Sequence, residues 1–376
     1  VCKSVLVTAD LRVLMTMEAA WHPVPGGTGR VTIDLAAALS RRPDVDVQGI
    51  SAWHRRSAPT DFSPTIKVRQ LKLPRPLLYE AWSRSMIPAL SAQNHDLVHS
   101  TTIVVPPVGG APLVVSVHDL AFRRFPERFP TRARRLYDRS WRRVLERADA
   151  VLCPSAATSA DLRAGGLDTE RLHLVPLGHD PRPVTTEATR QVRERFGITG
   201  NFVLAVGTLE PRKNLPALID AFTRIAADTD TQLVLAGPTG WGTTPQQLLT
   251  SLEPKTMDRV VITGQVAIDE LAALYSEATV FCYPSLLEGF GLPVLEAMSY
   301  RTPVITSKGT ATEEVAGDAA LAVDPNSVDE LADALRTVLT DARFAQELAD
   351  RGYARSTEFS WDKTASATVA VYRTLL

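Results

Sequence analysis

A chain of 376 residues is too long for one ordinary core and fits two domains of usual size. Its 45% hydrophobic and 22% charged content is that of a soluble globular protein, and a formal net charge of -1 gives no overall pull towards nucleic acid. No apolar stretch approaches the ~20 residues a membrane span needs.

Three widely spaced cysteines (Cys2, Cys153 and Cys282) form no Cys-x-x-Cys pair and fit reduced thiols in the cytoplasm. The first ten residues carry one lysine and no convincing cleavage site, so no signal peptide is expected. Strand-like runs at 12–16, 46–51, 97–99, 113–117, 150–153 and 172–175 alternate with helical stretches that include 31–39 and 131–148. A second series at 202–206, 232–236, 260–262, 279–283, 303–306 and 320–323 alternates with helices such as 215–227, 268–276 and 328–339. Wholly apolar strands alternating with helices predict parallel sheets covered on both faces. The expected class is α/β, with two doubly wound, Rossmann-like domains facing each other across a cleft and ligands at the carboxyl ends of the strands. The Pro-rich, weakly patterned stretch 178–189 separates a first domain, 1–180, from a second, 190–358. The remainder, 359–376, reads as a helix from Trp361.

The densest chemistry follows the run ending at Tyr283. There the chain reads Pro284-Ser285-Leu286-Leu287-Glu288-Gly289-Phe290-Gly291-Leu292-Pro293-Val294-Leu295-Glu296-Ala297-Met298. Glycines at a strand-to-helix junction let a ligand approach the backbone, and the first amides of the helix, with its dipole, favour a phosphate. Glu288 and Glu296 flank that turn and can accept hydrogen bonds from sugar hydroxyls, so the whole describes a sugar-nucleotide site. At 207–215, Gly207-Thr208-Leu209-Glu210-Pro211-Arg212-Lys213-Asn214-Leu215 places two cations at another strand end, where they lower the cost of a departing diphosphate. Gly264-Gln265-Val266 ends a further strand, in position for backbone contacts to a base.

The Glu-x7-Glu stretch, Glu288 to Glu296 with its Gly289-Phe290-Gly291-Leu292 core, resembles the signature of the retaining glycosyltransferases of family 4, which share the two-domain GT-B fold. That resemblance implies transfer of a hexose, mannose first, from a nucleotide-diphosphate sugar to a glycan or glycolipid hydroxyl, with retention and without metal or further cofactor. GDP-mannose is the first donor expected and a UDP-hexose the second. Arg212 and Lys213 then neutralise the diphosphate, Lys213 matching the family's loop most closely and Arg212 standing in for an arginine many members carry where this chain has Thr208. Glu288, Gly289, Phe290, Gly291 and Leu292 hold sugar and phosphate, Glu296 the ribose, and Gly207 and Val266 the rest of the nucleotide. Pro25-Gly26-Gly27-Thr28-Gly29-Arg30 reads as a loop before a helix at Val31. It looks like the family's glycine loop, with Gly26 and Gly27 closing over the donor phosphate. A dinucleotide fingerprint is discounted because Thr32 occupies the third glycine's place and the loop does not follow the strand directly.

His118, in Val117-His118-Asp119-Leu120, resembles the family's active-site histidine; the bland reading is a structural histidine bonded to backbone. Asp119 either orients it or caps the next turn, and His99 is a candidate for lining the acceptor side. Asp44-Val45-Asp46 and Asp228-Thr229-Asp230 precede strands, at the wrong end of the sheet, so they read as solvated turns and no metal site is expected. In the resembled family the last helix crosses back onto the first domain, and residues 359–376 are expected to do so. Between Arg123 and Arg147 lie ten arginines against three acids, with Leu136, Tyr137, Trp141, Val144 and Leu145 at helical spacing. This is a solvated helix on an apolar stripe, or a surface drawn to an anionic membrane or a phosphate-bearing acceptor. A cytoplasmic protein, with peripheral attachment to the inner face of the plasma membrane as an extension, is the matching expectation. The rival readings are a sugar-nucleotide epimerase on the same fold and a non-catalytic two-domain sugar-binding protein.

Overall fold

A computed structural model describes residues 10–84, 87–90, 94–240, 244–250 and 252–376, so Cys2 lies outside the described residues. The chain divides into two compact units, Val1–Gly178 with Trp361–Leu376, and His179–Ser360.

Among the described residues the first unit holds seven strands: β1 (Leu11–Thr16), β2 (Val45–Trp53), β3 (Val68–Pro74), β4 (Leu97–Ser100), β5 (Leu113–Ser116), β6 (Ala150–Cys153) and β7 (Leu172–Leu174). Every pairing is parallel, in the order β3-β2-β1-β4-β5-β6-β7, so the order reverses between β1 and β4. The second unit repeats the plan with β8 (Asn201–Val206), β9 (Thr231–Ala236), β10 (Val260–Gly264), β11 (Val280–Tyr283), β12 (Val304–Ser307) and β13 (Leu321–Val323). Its order, β10-β9-β8-β11-β12-β13, is again all parallel and reverses between β8 and β11. The expected α/β class of two doubly wound, Rossmann-like sheets holds.

Central strands such as β4, β5, β6, β11 and β12 are buried at every residue, because helices cover both faces. The helix Leu215–Ala226 shows why: Leu215, Leu218, Ile219, Phe222 and Ile225 fall on one stripe and pack with Val203, Leu233 and Leu235 of the sheet. Each large side chain removed from water in this way contributes roughly 1.5–3 kcal/mol. One strand was not expected. Strand β3 is an edge strand whose Arg69, Gln70 and Lys72 break the apolar run and whose last residue is proline.

The glycine segment corrects the expectation of a loop. Gly26 and Gly27 are the first two residues of the helix Gly26–Ser40, with Pro25 as its N-cap and the Gly29 amide bonded to the Pro25 carbonyl at 2.9 Å. Helix starts five residues early because Gly29 allows close contact: a Cβ there would lie 2.4 Å from that of Pro25 and 3.2 Å from the Ala19 carbonyl. Tertiary packing overrides the poor helix propensity of glycine.

The C-terminal helix, Trp361–Arg373, belongs to the first unit and packs beside Gly26–Ser40. Trp361, Ala365, Thr368, Val369 and Tyr372 form its buried stripe, while Asp362 meets Arg41 and Arg373 meets Asp44, each at 2.7 Å. Its deepest anchor is His99, which is fully buried, with Nδ1 2.6 Å from the Tyr372 hydroxyl and Nε2 2.8 Å from Ser116 Oγ. Both ring nitrogens are therefore occupied, and His99 is a structural residue, not one that lines an acceptor site.

Burial, and then the neighbouring His118, push the His99 imidazole down to about 3. The unfolded chain binds this proton near the ordinary value of about 6.5, so its contribution to stability is complete above that pH and is lost as pH falls towards 3. Urea unfolding at pH 7 and pH 5 is expected to show lower stability at pH 5, and His99→Gln should reduce the slope by up to ~1.4 kcal/mol per pH unit. An unchanged slope in His99→Gln would contradict this assignment.

Candidate active site

In the second unit the two strand exits at the point of order reversal come together. Strand β8 ends at Val206 and leads through Gly207 to a short turn, Pro211–Lys213; β11 ends at Tyr283 and leads to Ser285 and Glu288. The two exits are tied by the Arg212 carbonyl, which accepts from the Leu286 amide at 2.8 Å and from Ser285 Oγ at 3.0 Å.

Glu288 Oε1 is the centre of the group. It lies 2.6 Å from Lys213 Nζ and 2.7 Å from an Arg212 guanidinium nitrogen, and it accepts from Ser285 Oγ at 2.7 Å and the Tyr283 hydroxyl at 3.0 Å. Arg212 Nε is held at 2.5 Å by Glu210, and Lys213 donates to the Tyr283 hydroxyl. Two carboxylates and two cations thus balance at strand ends where Glu210 is 5% and Lys213 7% exposed. Removing such ions from water costs several kcal/mol each, so attraction and hydrogen bonds must offset it.

The titration shifts follow. Burial opposes the charged form of Glu288, but Arg212, Lys213 and the hydrogen bonds overcome it and hold the carboxyl at about 2. Burial, and next the charge of Arg212, lowers Lys213, while Glu288 works in the opposite direction. Lys213 reaches the carboxylate because Gly207 has no side chain: a Cβ there would lie 3.0 Å from Lys213 Cε, and its φ of +145° also favours glycine.

The turn that follows Glu288 feeds the helix Leu292–Ser299. Gly291 is its N-cap at φ +113°, the Val294 and Leu295 amides fold back on the Gly291 carbonyl, and Pro293 has no N–H. The Phe290 ring is fixed edge-on against Phe359 at 5.9 Å. A methyl group on Gly291 would meet Thr312 Cγ2 at 2.8 Å and its Cα at 3.3 Å. Gly291→Ala is therefore expected to cost ~2–4 kcal/mol in chemical denaturation, through strain and overpacking; a wild-type midpoint would refute the turn geometry.

Glu296, one turn into that helix, belongs to a different group. It accepts from the Tyr275 hydroxyl at 2.8 Å, and the Tyr275 ring stacks on Tyr300 at 6.0 Å. The remaining strand exits are laced by backbone, from Gly207 N to Ala236 O and from Gly237 N to Gly264 O, both 2.9 Å. Val266 is half-buried two residues past β10.

A profile described as "Glycosyltransferase Family 4" matches residues 25–182, and one described as "Glycosyl transferases group 1" matches residues 189–355. The chain is 31% identical to the O-antigen chain mannosyltransferase B of Escherichia coli, with 70% of each chain covered. It is 29% identical to the MMP alpha-(1->4)-mannosyltransferase of Mycolicibacterium hassiacum, covering 93% of this chain and 88% of that one. The chain belongs to glycosyltransferase family 4. Its GT-B fold is matched by the Anabaena protein Alr3699/HepE, solved in complex with UDP and glucose. That match has a TM-score of 0.73 at 20% identity, over 97% of this chain and all of that one. The enzyme is thus a glycosyltransferase, and neither an epimerase nor a non-catalytic binding protein is favoured by its relatives.

The other residues anticipated from the sequence of this family 4 enzyme lie in the first unit. His118 directly follows Val117 at the exit of β5, with Nε2 3.1 Å from the Thr101 carbonyl, so that nitrogen carries the proton. Burial lowers its pKa, against the pull of that backbone bond and of Asp119. Asp119 caps rather than orients, since it accepts from the Ala121 amide at 2.9 Å. Gly26 and Gly27 are exposed, with nothing within 4 Å of an added Cβ. Sequence reasoning missed the roles of Glu210, Tyr283 and Ser285, although all three stand in the strings that carried the argument. Their signal is adjacency: hydroxyls and an acid beside an Arg-Lys pair at strand ends must pair with it when the strands are buried.

Among the described residues no group of three His, Cys, Asp or Glu side chains is placed to hold a metal ion. At the opposite sheet end, Asp44 engages Arg42 at 3.0 Å as well as Arg373.

Proposed function

We propose that this chain transfers a mannosyl group from GDP-mannose to a hydroxyl of a glycan or glycolipid, with retention of configuration and without an essential metal. The observation that carries the reading is the Arg212–Lys213 pair, set against Glu288 at the strand-order reversal between β8 and β11, where open parallel sheets bind their ligands. The names of the two mannosyltransferase relatives favour mannose, and a UDP-hexose is the second choice of donor.

In this reading Arg212 and Lys213 stabilise the charge that develops on the leaving diphosphate, as fixed cations in a partly dry site do best. Glu288 and the amides of Gly289, Phe290, Gly291 and Leu292 hold sugar and phosphate, Glu296 accepts from the ribose hydroxyls, and Gly207 and Val266 border the nucleotide. His118 contacts the transferred sugar, and Gly26 and Gly27 border its phosphate. The bond from the anomeric carbon to the phosphate oxygen breaks, the acceptor oxygen bonds to the same face of that carbon, and the acceptor's proton passes to the departing phosphate.

The test is a panel of nucleotide sugars assayed for hydrolysis and transfer, with Glu288→Ala and Lys213→Ala as controls. Turnover of a nucleotide-diphosphate hexose that both substitutions reduce is expected; full activity in both would end the site assignment.

A second reading concerns the helix Thr131–Arg147. Trp141 and Val144 are buried against the core and Tyr137 and Leu145 pack there half-buried, while Arg132, Arg135, Arg142 and Arg147 are exposed. The helix Arg75–Ser83 packs beside it and exposes Leu77, and Ile87 beyond is 81% exposed. Arginines beside exposed apolar side chains suit an anionic membrane surface, which is the partner this reading assigns. No helix among the described residues is long and apolar enough to cross a membrane. Co-sedimentation with phosphatidylglycerol vesicles but not with phosphatidylcholine vesicles is expected, weakening as salt rises; equal sedimentation with both would rule the surface out.

A further inference from the structure

The first unit carries a group of side chains that the donor site leaves unused. Glu18 and Trp21 follow the end of β1, His54 directly follows β2, and Arg75 directly follows β3, so all stand at the carboxyl edge of that sheet. Glu18 is 3% exposed. Its Oε2 accepts from the Ala52 amide at 2.8 Å and from His54 Nε2 at 2.9 Å. Its Oε1 has no hydrogen-bond partner among the described residues, with Arg75 Nε 4.0 Å away. The Trp21 ring lies flat on the His54 imidazole, 5.1 Å between centroids and 9° from parallel, and its Nε1 donates to the Arg56 carbonyl at 3.2 Å.

A carboxylate this deeply buried is costly to keep. Its one side-chain hydrogen bond goes to a single imidazole, and the stacked indole holds the same ring from its face. A carboxylate on one ring nitrogen sets the tautomer of the neutral ring: the proton sits on Nε2 and Nδ1 keeps its lone pair. The His54 side chain is 16% exposed, and among the described residues Nδ1 has no partner. The result is a hydrogen-bond acceptor of fixed direction beside an aromatic platform, at the sheet edge where open parallel sheets take ligands.

We propose that Glu18, His54 and Trp21 form the acceptor subsite, a seat for a neutral pyranoside whose ring hydroxyl donates to His54 Nδ1 while its apolar face packs on Trp21. His54 and Trp21 touch the acceptor, and Glu18 is a positioning residue acting through His54. This rests on the glycosyltransferase reading of the donor site, and the experiment separates the two. The full chain is assayed with GDP-mannose and methyl α-mannopyranoside as the acceptor probe, with donor hydrolysis in water measured in parallel.

His54→Ala is expected to raise the acceptor KM roughly tenfold, the loss of one hydrogen bond, while donor hydrolysis stays at the wild-type rate. His54→Asn, which keeps an acceptor atom, should recover part of the loss, and Glu18→Gln should raise the same KM by less. An acceptor KM unchanged by His54→Ala overturns the subsite, as does a parallel fall in donor hydrolysis. A wild type that hydrolyses the donor but shows no saturation by the methyl glycoside also overturns it. A wild type that turns over no nucleotide sugar at all overturns the donor reading and the subsite with it.

Discussion

Glu288→Ala is expected to lower the unfolding free energy by ~3 kcal/mol or more and to slow sugar transfer at least ~100-fold. The two losses have one origin. Glu288 Oε1 receives Arg212, Lys213, Tyr283 and Ser285, so its removal leaves two cations at a buried strand end with Glu210 as their one remaining carboxylate. Lys213, already lowered by burial and by Arg212, loses the carboxylate that works to keep it charged. A neutral lysine cannot stabilise a leaving diphosphate. Glu288→Gln, which retains shape and both hydroxyl contacts, should recover part of the stability and little of the rate. The pH dependence has a definite sign. The folded carboxyl titrates at about 2, below the ordinary value of about 4.3, so its stabilisation is complete above that value and is lost as pH falls towards 2. Stability that rises in Glu288→Ala, or transfer that continues at the wild-type rate, would contradict the arrangement.

Lys213→Ala is expected to cost ~100–1,000-fold in transfer with a smaller loss of stability. The stability cost is smaller because Glu288 keeps Arg212 at 2.7 Å and both hydroxyls. The rate cost is large because Lys213 is the cation whose stem is fitted over Gly207 and whose ammonium is fixed by its hydrogen bond to the Tyr283 hydroxyl. Lys213→Arg should not restore activity, since a planar guanidinium cannot follow a stem packed this closely. Full rescue by arginine would show that charge alone matters and that the packing around Gly207 does not.

The doubly wound class was readable from the chain because wholly buried parallel strands leave unbroken apolar runs such as Val280–Tyr283 and Leu113–Ser116. Edge strand β3 left no such run, as Arg69, Gln70 and Lys72 are exposed along it. The helix start at Gly26 was equally hidden, since it depends on how Gly29 meets Ala19 and Pro25 and not on local propensity. At the site, strand-end position brought Arg212, Lys213 and Glu288 into view. That they would neutralise one another, with Glu210 as the fourth charge, needed the pairing of β8 with β11. The same limit hid the pair of Glu18 and His54, thirty-six positions apart and joined only by the adjacency of β1 and β2.

In the proposed reaction the Arg212–Lys213 group receives the donor's diphosphate, which calorimetric titration of the wild type and of Arg212→Ala/Lys213→Ala with GDP and with guanosine measures. The double substitution is expected to weaken GDP binding at least ~100-fold and to leave guanosine binding unchanged, since charge-assisted contacts to phosphate are worth ~1.5–3 kcal/mol each. Equal affinity of both proteins for GDP would contradict it.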